Sequence, residues 1–109
     1  MKSVLEILKD AKRLLIDKGW TKGEYAKTNT GYPCLSYKSN DASCFCVLGA
    51  LKVSGADSDY DLPCKIFATA NDIGLPYKIA DWNDNKERTI NEVLSAFDKA
   101  IDYEEKLGK

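Results

Sequence analysis

The run Cys44-Phe45-Cys46-Val47-Leu48-Gly49-Ala50-Leu51 carries the architecture of this chain. No charge interrupts it, and it is apolar nearly all round, so whatever element it forms is buried on every side. Asp41 or Ser43 stands where an N-cap belongs and Gly55 stands where a helix would stop, which together predict a buried central helix over 44–56. Gly49 and Ala50 have almost no side chain and let a second element come close. An element with no solvent face needs neighbours to cover it, and the rest of the chain has to supply them.

On the N-terminal side, residues 1–19 read as an amphipathic helix. Ser3 and Glu6 form a capping box, Val4, Leu8, Ala11 and Leu15 recur at helical spacing, and Gly19 is placed to end the helix in the left-handed conformation. Residues 20–43 lose the helical period. Glu24–Lys27 and Cys34–Tyr37 alternate weakly around Thr28-Asn29-Thr30-Gly31, so a small β-hairpin is expected there. Beyond the central run, Pro63 opens a helix reaching about Asn71, Tyr77–Trp82 reads as a short extended piece, and Asn83-Asp84-Asn85 reads as a turn. Thr89 and Glu92 then cap a last helix whose apolar positions are Ile90, Val93, Leu94, Phe97, Ala100 and Ile101. The expected fold is α+β and mainly helical, with about four helices around the central one and one small hairpin. The 109 residues are expected to form a single domain, 1–109.

Composition removes several functions. The chain has no histidine, which excludes Ser-His-Asp and Cys-His nucleophile systems, zinc sites built on imidazole, and histidine acid–base catalysis. With 16 basic and 17 acidic residues the net charge is -1, unlike a basic nucleic-acid module or an acidic DNA mimic. No P-loop or G-x-G-x-x-G occurs. No apolar run approaches the roughly 18 residues of a membrane span, and the charged N-terminal helix does not read as a signal peptide, so a cytoplasmic location without membrane contact is expected. In that compartment Cys34, Cys44, Cys46 and Cys64 are expected to be reduced thiols.

Charge is distributed unevenly. Residues 18–40 carry four lysines against one glutamate, and 41–85 carry seven aspartates against three lysines. The basic stretch also holds tyrosines: Lys22, Tyr25, Lys27, Tyr32, Tyr37 and Lys38 form a candidate partner-binding surface. Tyrosines give rigid contact area and lysines steer an acidic partner, so a protein partner is favoured over nucleic acid. A second candidate is a small polar ligand pocket made by Trp82, Asn83, Asp84 and Arg88, with Arg88 pairing Asp84. The structural alternative is that these residues fasten the start of the last helix. Cys46, near a helix start, is the one residue placed like a nucleophile, but it has no imidazole to activate it and apolar neighbours that predict burial. The cysteine spacing lacks zinc knuckles, and Asp57-Ser58-Asp59-Tyr60-Asp61 fails the calcium-loop pattern because Leu62 and Ala68 stand where Gly and Glu are required. No metal or cofactor is expected.

Three stretches together resemble a family of short, uncharacterised bacterial and phage proteins. They are Gly19-Trp20-Thr21-Lys22-Gly23 with the later Gly31, then Phe45-Cys46-Val47-Leu48-Gly49-Ala50-Leu51, then Trp82-Asn83-Asp84 with Arg88-Thr89 and Glu92-Val93-Leu94. The resemblance implies no activity and no catalytic residue. Its phage setting implies an accessory protein that blocks a host factor, of the anti-restriction or anti-CRISPR kind. The leading expectation is therefore a non-enzymatic binding protein. Capture of a nucleotide-like signal near Trp82 and a thiol enzyme using Cys46 stand as alternatives. The sequence leaves the oligomeric state undetermined.

Overall fold

The computed structural model describes residues 2–34 and 40–108. Five helices and one two-stranded sheet follow one another as α1 (Val4–Lys18), β1 (Ala26–Lys27), β2 (Cys44–Phe45), α2 (Val47–Val53), α3 (Leu62–Ala70), a single 3₁₀ turn (Pro76–Lys78), α4 (Ile79–Asp84) and α5 (Ile90–Leu107). The fold is mainly helical α+β, as the sequence pattern predicts. Helix α2 packs on α1, α3 and α4, while α5 packs on α1 and α3. Leu8, Leu15, Val47, Leu51, Phe67, Ile79, Val93 and Phe97 form the fully buried centre. Burying such side chains is worth roughly 1.5–3 kcal/mol each.

Both capping boxes form. Ser3 Oγ accepts from Glu6 N at 3.1 Å while Glu6 Oε1 accepts from Ser3 N at 3.3 Å. Thr89 Oγ1 and Glu92 reciprocate in the same way, at 3.2 and 2.9 Å. The Thr89 backbone bond, with Arg88 beside it, holds the Glu92 carboxyl below its ordinary range. Gly19 does end α1, but with φ 123 and ψ 163 rather than in the left-handed helical conformation. That extended ψ sends the chain straight on to Trp20 and into pairing with Phe45.

The central run differs from its expected form. Only Val47–Val53 is helical. Cys44 and Phe45 are a strand, antiparallel to β1 with Ala26 opposite Phe45 and Lys27 opposite Cys44. Phe45 N donates to Gly19 O at 3.0 Å and its carbonyl accepts from Thr21 N at 2.9 Å, so Phe45 is paired on both edges. A short, uniformly apolar run suits a buried strand as well as a buried helix, and periodicity cannot separate them. The backbone bonds offered by Gly19, Thr21 and Tyr25 resolve it.

The expected turn is present: Gly31 N donates to Thr28 O, Cys34 N donates to Ala26 O at 3.0 Å, and Lys27 bridges Pro33. The ladder that makes the sheet nevertheless lies between β1 and β2, and the Leu35–Tyr37 part of the expected hairpin falls outside the described residues. Tyr77–Trp82, expected to be extended, is the 3₁₀ turn running into α4. Pro76 fixes a helical φ at the start of that turn, and Ile79 is wholly buried against the core, which favours the helical alternative over a strand with no partner.

Gly49 shows how close the elements come. A Cβ there would sit far inside van der Waals contact distance of the Tyr25 carbonyl oxygen and 2.9 Å from its carbon. The neighbour is backbone, held in place because Tyr25 O accepts from Cys46 N at 3.1 Å, so it cannot yield cheaply. Gly49→Ala is expected to destabilise the chain by about 2–4 kcal/mol, read as a lowered urea midpoint, despite alanine's better helix propensity. An unchanged midpoint would refute the close approach.

Candidate functional site

Asn83 sits in the last turn of α4 with no exposed surface. Its Oδ1 accepts from the Trp20 indole Nε1 at 2.7 Å and from Val47 N at 3.0 Å. Its Nδ2 donates to Thr21 O at 3.1 Å and to Asp84 Oδ1 at 3.0 Å. Two acceptor and two donor positions are thus all engaged inside the molecule. Asp84 Oδ1 also accepts from Gly23 N at 2.8 Å. The amide therefore ties the segment after α1, the start of α2 and the end of α4 together.

Arg88 does not pair with Asp84. Its guanidinium lies 4.0 Å from the centre of the Trp82 ring, Nε donates to Trp82 O at 3.0 Å, and Nη1 donates to Glu92 at 3.3 Å. Asp84 is instead held by Gly23 and Asn83, on another side of α4. The four residues of the expected ligand pocket are divided accordingly. Trp82 and Arg88 line a cavity of about 340 Å³ with Asn71, Glu92 and Lys99, Asp84 lines a different cleft, and Asn83 faces inward.

The tyrosine–lysine surface is also only partly assembled. Lys22 Nζ donates to Asn85 O at 2.7 Å and lies 5.3 Å from the centre of the Trp20 ring, so it braces the loop after α4. Lys27 lies on β1, and Tyr32 at the neighbouring turn is 71% exposed. Tyr37 and Lys38 fall outside the described residues. Tyr25 points elsewhere, to a group absent from the sequence reading. Its OH donates to Asp59 Oδ2 at 3.1 Å, and Lys52 Nζ pairs with Asp59 Oδ1 at 2.7 Å while lying 4.3 Å from the centre of the Tyr25 ring. Burial, then the Asp59 charge, raises the Tyr25 pKa. Burial opposes the charge on Lys52, but the Asp59 bond and Tyr25 outweigh it, and its pKa is raised as well.

Tyr25 and Asp59 form one wall of a cleft of about 160 Å³ that also takes in Glu24, Cys46, Tyr77 and Asp84, with Lys52 behind them. Lys52, Asp59 and Tyr77 lie on three separate elements, and no local motif joins them to Tyr25. The only sequence hint was the Asp57–Asp61 run. There Asp61 accepts from Asp57 N at 2.6 Å, which turns the loop and leaves Asp59 facing Tyr25.

Cys46 lies at the N-cap of α2 rather than in its first turn. Its Sγ accepts from Gly49 N at 3.3 Å, taking the place usually filled by a hydroxyl. Burial pushes its thiol up to about 11, against the bonds from Gly49 and Leu48 that favour the thiolate, and Cys64 is pushed up to about 12, again chiefly by burial. All four cysteines are free thiols. At pH 8 a thiol of pKa about 11 is roughly 0.1% thiolate. Among the described residues no group of acidic and thiol side chains is arranged to hold a metal ion, and no helix is long and apolar enough to cross a membrane.

Three outcomes follow from this geometry. Asn83→Ala strands Trp20 Nε1, Val47 N and Thr21 O, and is expected to cost on the order of 3–5 kcal/mol in urea unfolding. Iodoacetamide at pH 8, read by mass spectrometry, is expected to spare Cys46 and Cys64 in the folded chain and to label both in urea; native labelling of Cys46 would contradict its burial. The raised thiol pKa also sets a pH dependence. The stabilisation from keeping Cys46 neutral is complete below the unfolded value of 9.0 and is lost as the pH rises through about 11. Urea stability should therefore fall across that window, and Cys46→Ala should flatten part of the fall.

No curated protein and no solved structure matches this chain. The sequence pattern of one family, described as a family of unknown function (DUF6197), matches residues 1–103. That span runs from before α1 into the last turns of α5, so it takes in the Asn83 clasp, both capping boxes and the cleft. The chain belongs to this family of unknown function, DUF6197.

Proposed function

We propose that this chain is a small non-enzymatic binding protein that acts by contact with a protein partner. One observation carries the reading: Tyr25, Tyr32, Tyr60 and Tyr77, four of the five described tyrosines, are all at least 40% exposed. Tyrosine at a surface combines large apolar area with a polar tip and loses little entropy on contact, which is why it is enriched where proteins meet. The opposite side of the inventory supports the same reading. The groups best suited to chemistry, namely Asn83, Asp84, Arg88 and Cys46, are engaged in holding the fold or shielded from water. Lys27, beside Tyr32 at the β1 turn, adds a positive charge that would steer an acidic patch on the partner. The narrower reading, a phage-encoded inhibitor of host restriction or CRISPR machinery, rests on the resemblance in sequence.

The test is site-specific photo-crosslinking in cells that naturally carry the gene. A photoreactive phenylalanine at position 32 is expected to give one discrete protein adduct, and the same group at the exposed Lys99 position on α5 none. Lys27→Glu is expected to reduce the adduct several-fold at low salt. No adduct from position 32, or an identical adduct pattern from position 99, would overturn the reading.

A further inference from the structure

The cleft beside Tyr25 has a chemistry of its own. Among the described residues its charged lining is Glu24, Asp59 and Asp84, with no lysine or arginine. Asp84 is met by the neutral dipoles of Gly23 N and the Asn83 amide, and among the described residues Asp59 has a full counter-charge, from Lys52. Net negative charge therefore remains in a recess whose walls include two tyrosine rings, Tyr25 and Tyr77, exposed by 40% and 50%.

The chain itself shows how such a wall receives a cation. Lys52 Nζ lies 4.3 Å from the Tyr25 ring centre while bonding Asp59 at 2.7 Å, an arrangement in which the ring face and the carboxylate act on the same positive charge. Size narrows the occupant further. At about 160 Å³ the cleft is well below the roughly 300 Å³ at which pockets begin to hold drug-sized ligands, so it suits the end of one protruding side chain.

We propose that this cleft receives one arginine side chain of a protein partner, its guanidinium packed against Tyr25 and Tyr77 and facing Glu24 and Asp84. Arginine fits better than lysine because a planar, weakly hydrated cation stacks on rings and also bonds carboxylates with its edge. This rests on the reading of the chain as a protein-binding module, and it supplies a specificity element distinct from the basic Lys27–Tyr32 turn. The partner's matching face would carry an acidic patch for that turn and one arginine for the cleft.

The inference is tested by titrating the ¹⁵N-labelled chain with N-acetyl-arginine amide, with N-acetyl-glutamine amide as the neutral probe. The arginine probe is expected to give saturable amide shifts at Gly23, Glu24, Tyr25, Tyr77, Ala80 and Asp84, with a millimolar Kd suited to one side chain. Glu24→Gln is expected to weaken it about threefold or more, and Tyr77→Ala tenfold or more. Both positions are exposed, and the dispersion of each variant's spectrum verifies its fold. Absence of saturable shifts at these amides, shifts clustered instead around Trp82 and Arg88, or equal affinity for the glutamine probe would each overturn the inference. A crosslink at position 32 without the arginine response overturns the cleft alone. An arginine response without any protein crosslink overturns the protein source, and with it the binding reading.

Discussion

The side-chain amide of Asn83, wholly buried, bonds Trp20 Nε1, Thr21 O and Val47 N at once, and the remaining architecture hangs on that closure. A primary amide is the one neutral side-chain group that offers two acceptor and two donor positions in a plane, so it can join a side chain, a carbonyl and a backbone N–H without bringing a charge inside. Left unpaired, the same atoms would oppose folding, because buried polar groups lose their water without compensation. The bond to Val47 N is the telling one. It satisfies a backbone donor at the start of α2 that no helical carbonyl can reach, so α2 begins where Asn83 lets it begin.

From that closure the surface follows. With the segment after α1 fastened to α4, the chain from Gly23 to Tyr25 is carried over α2 so closely that position 49 tolerates only a hydrogen. The contact is backbone on backbone, Tyr25 O receiving Cys46 N, and it leaves the Tyr25 side chain facing Lys52 and Asp59. Phe45, paired on both edges, keeps the strand from sliding. The cleft is thus a consequence of the packing, with its acidic groups supplied by two loops and the end of α4.

Charge divides along the same lines. Among the described residues, two lysines of the 18–40 stretch have separate settings: Lys22 is bound to Asn85 O, and Lys27 lies on β1. The adjoining cleft is acidic. Lys27 on β1 is thus two residues along the chain from Tyr25, which lines the acidic recess.

Some of this could be read directly from residues. The two capping boxes, the N-terminal and C-terminal helices and the Pro63 helix were legible because each depends on side chains within one or two turns of their partners. The mainly helical class and the burial of Cys46–Leu51 were legible from composition and apolar spacing. The strand character of Cys44 and Phe45 was not, since an unbroken apolar run has no period to read. Nor were the helical form of Tyr77–Trp82, the inward turn of Asn83, the partner of Arg88 or the meeting of Tyr25 with Lys52 and Asp59. Each of these depends on groups brought from 27 to 63 positions away, or on which neighbour offers a backbone bond, and local propensity is too weak to choose among them. Short-range hydrogen bonding and hydrophobic spacing wrote the helices into the sequence; the satisfaction of buried polar groups at long range made the clasp and the cleft.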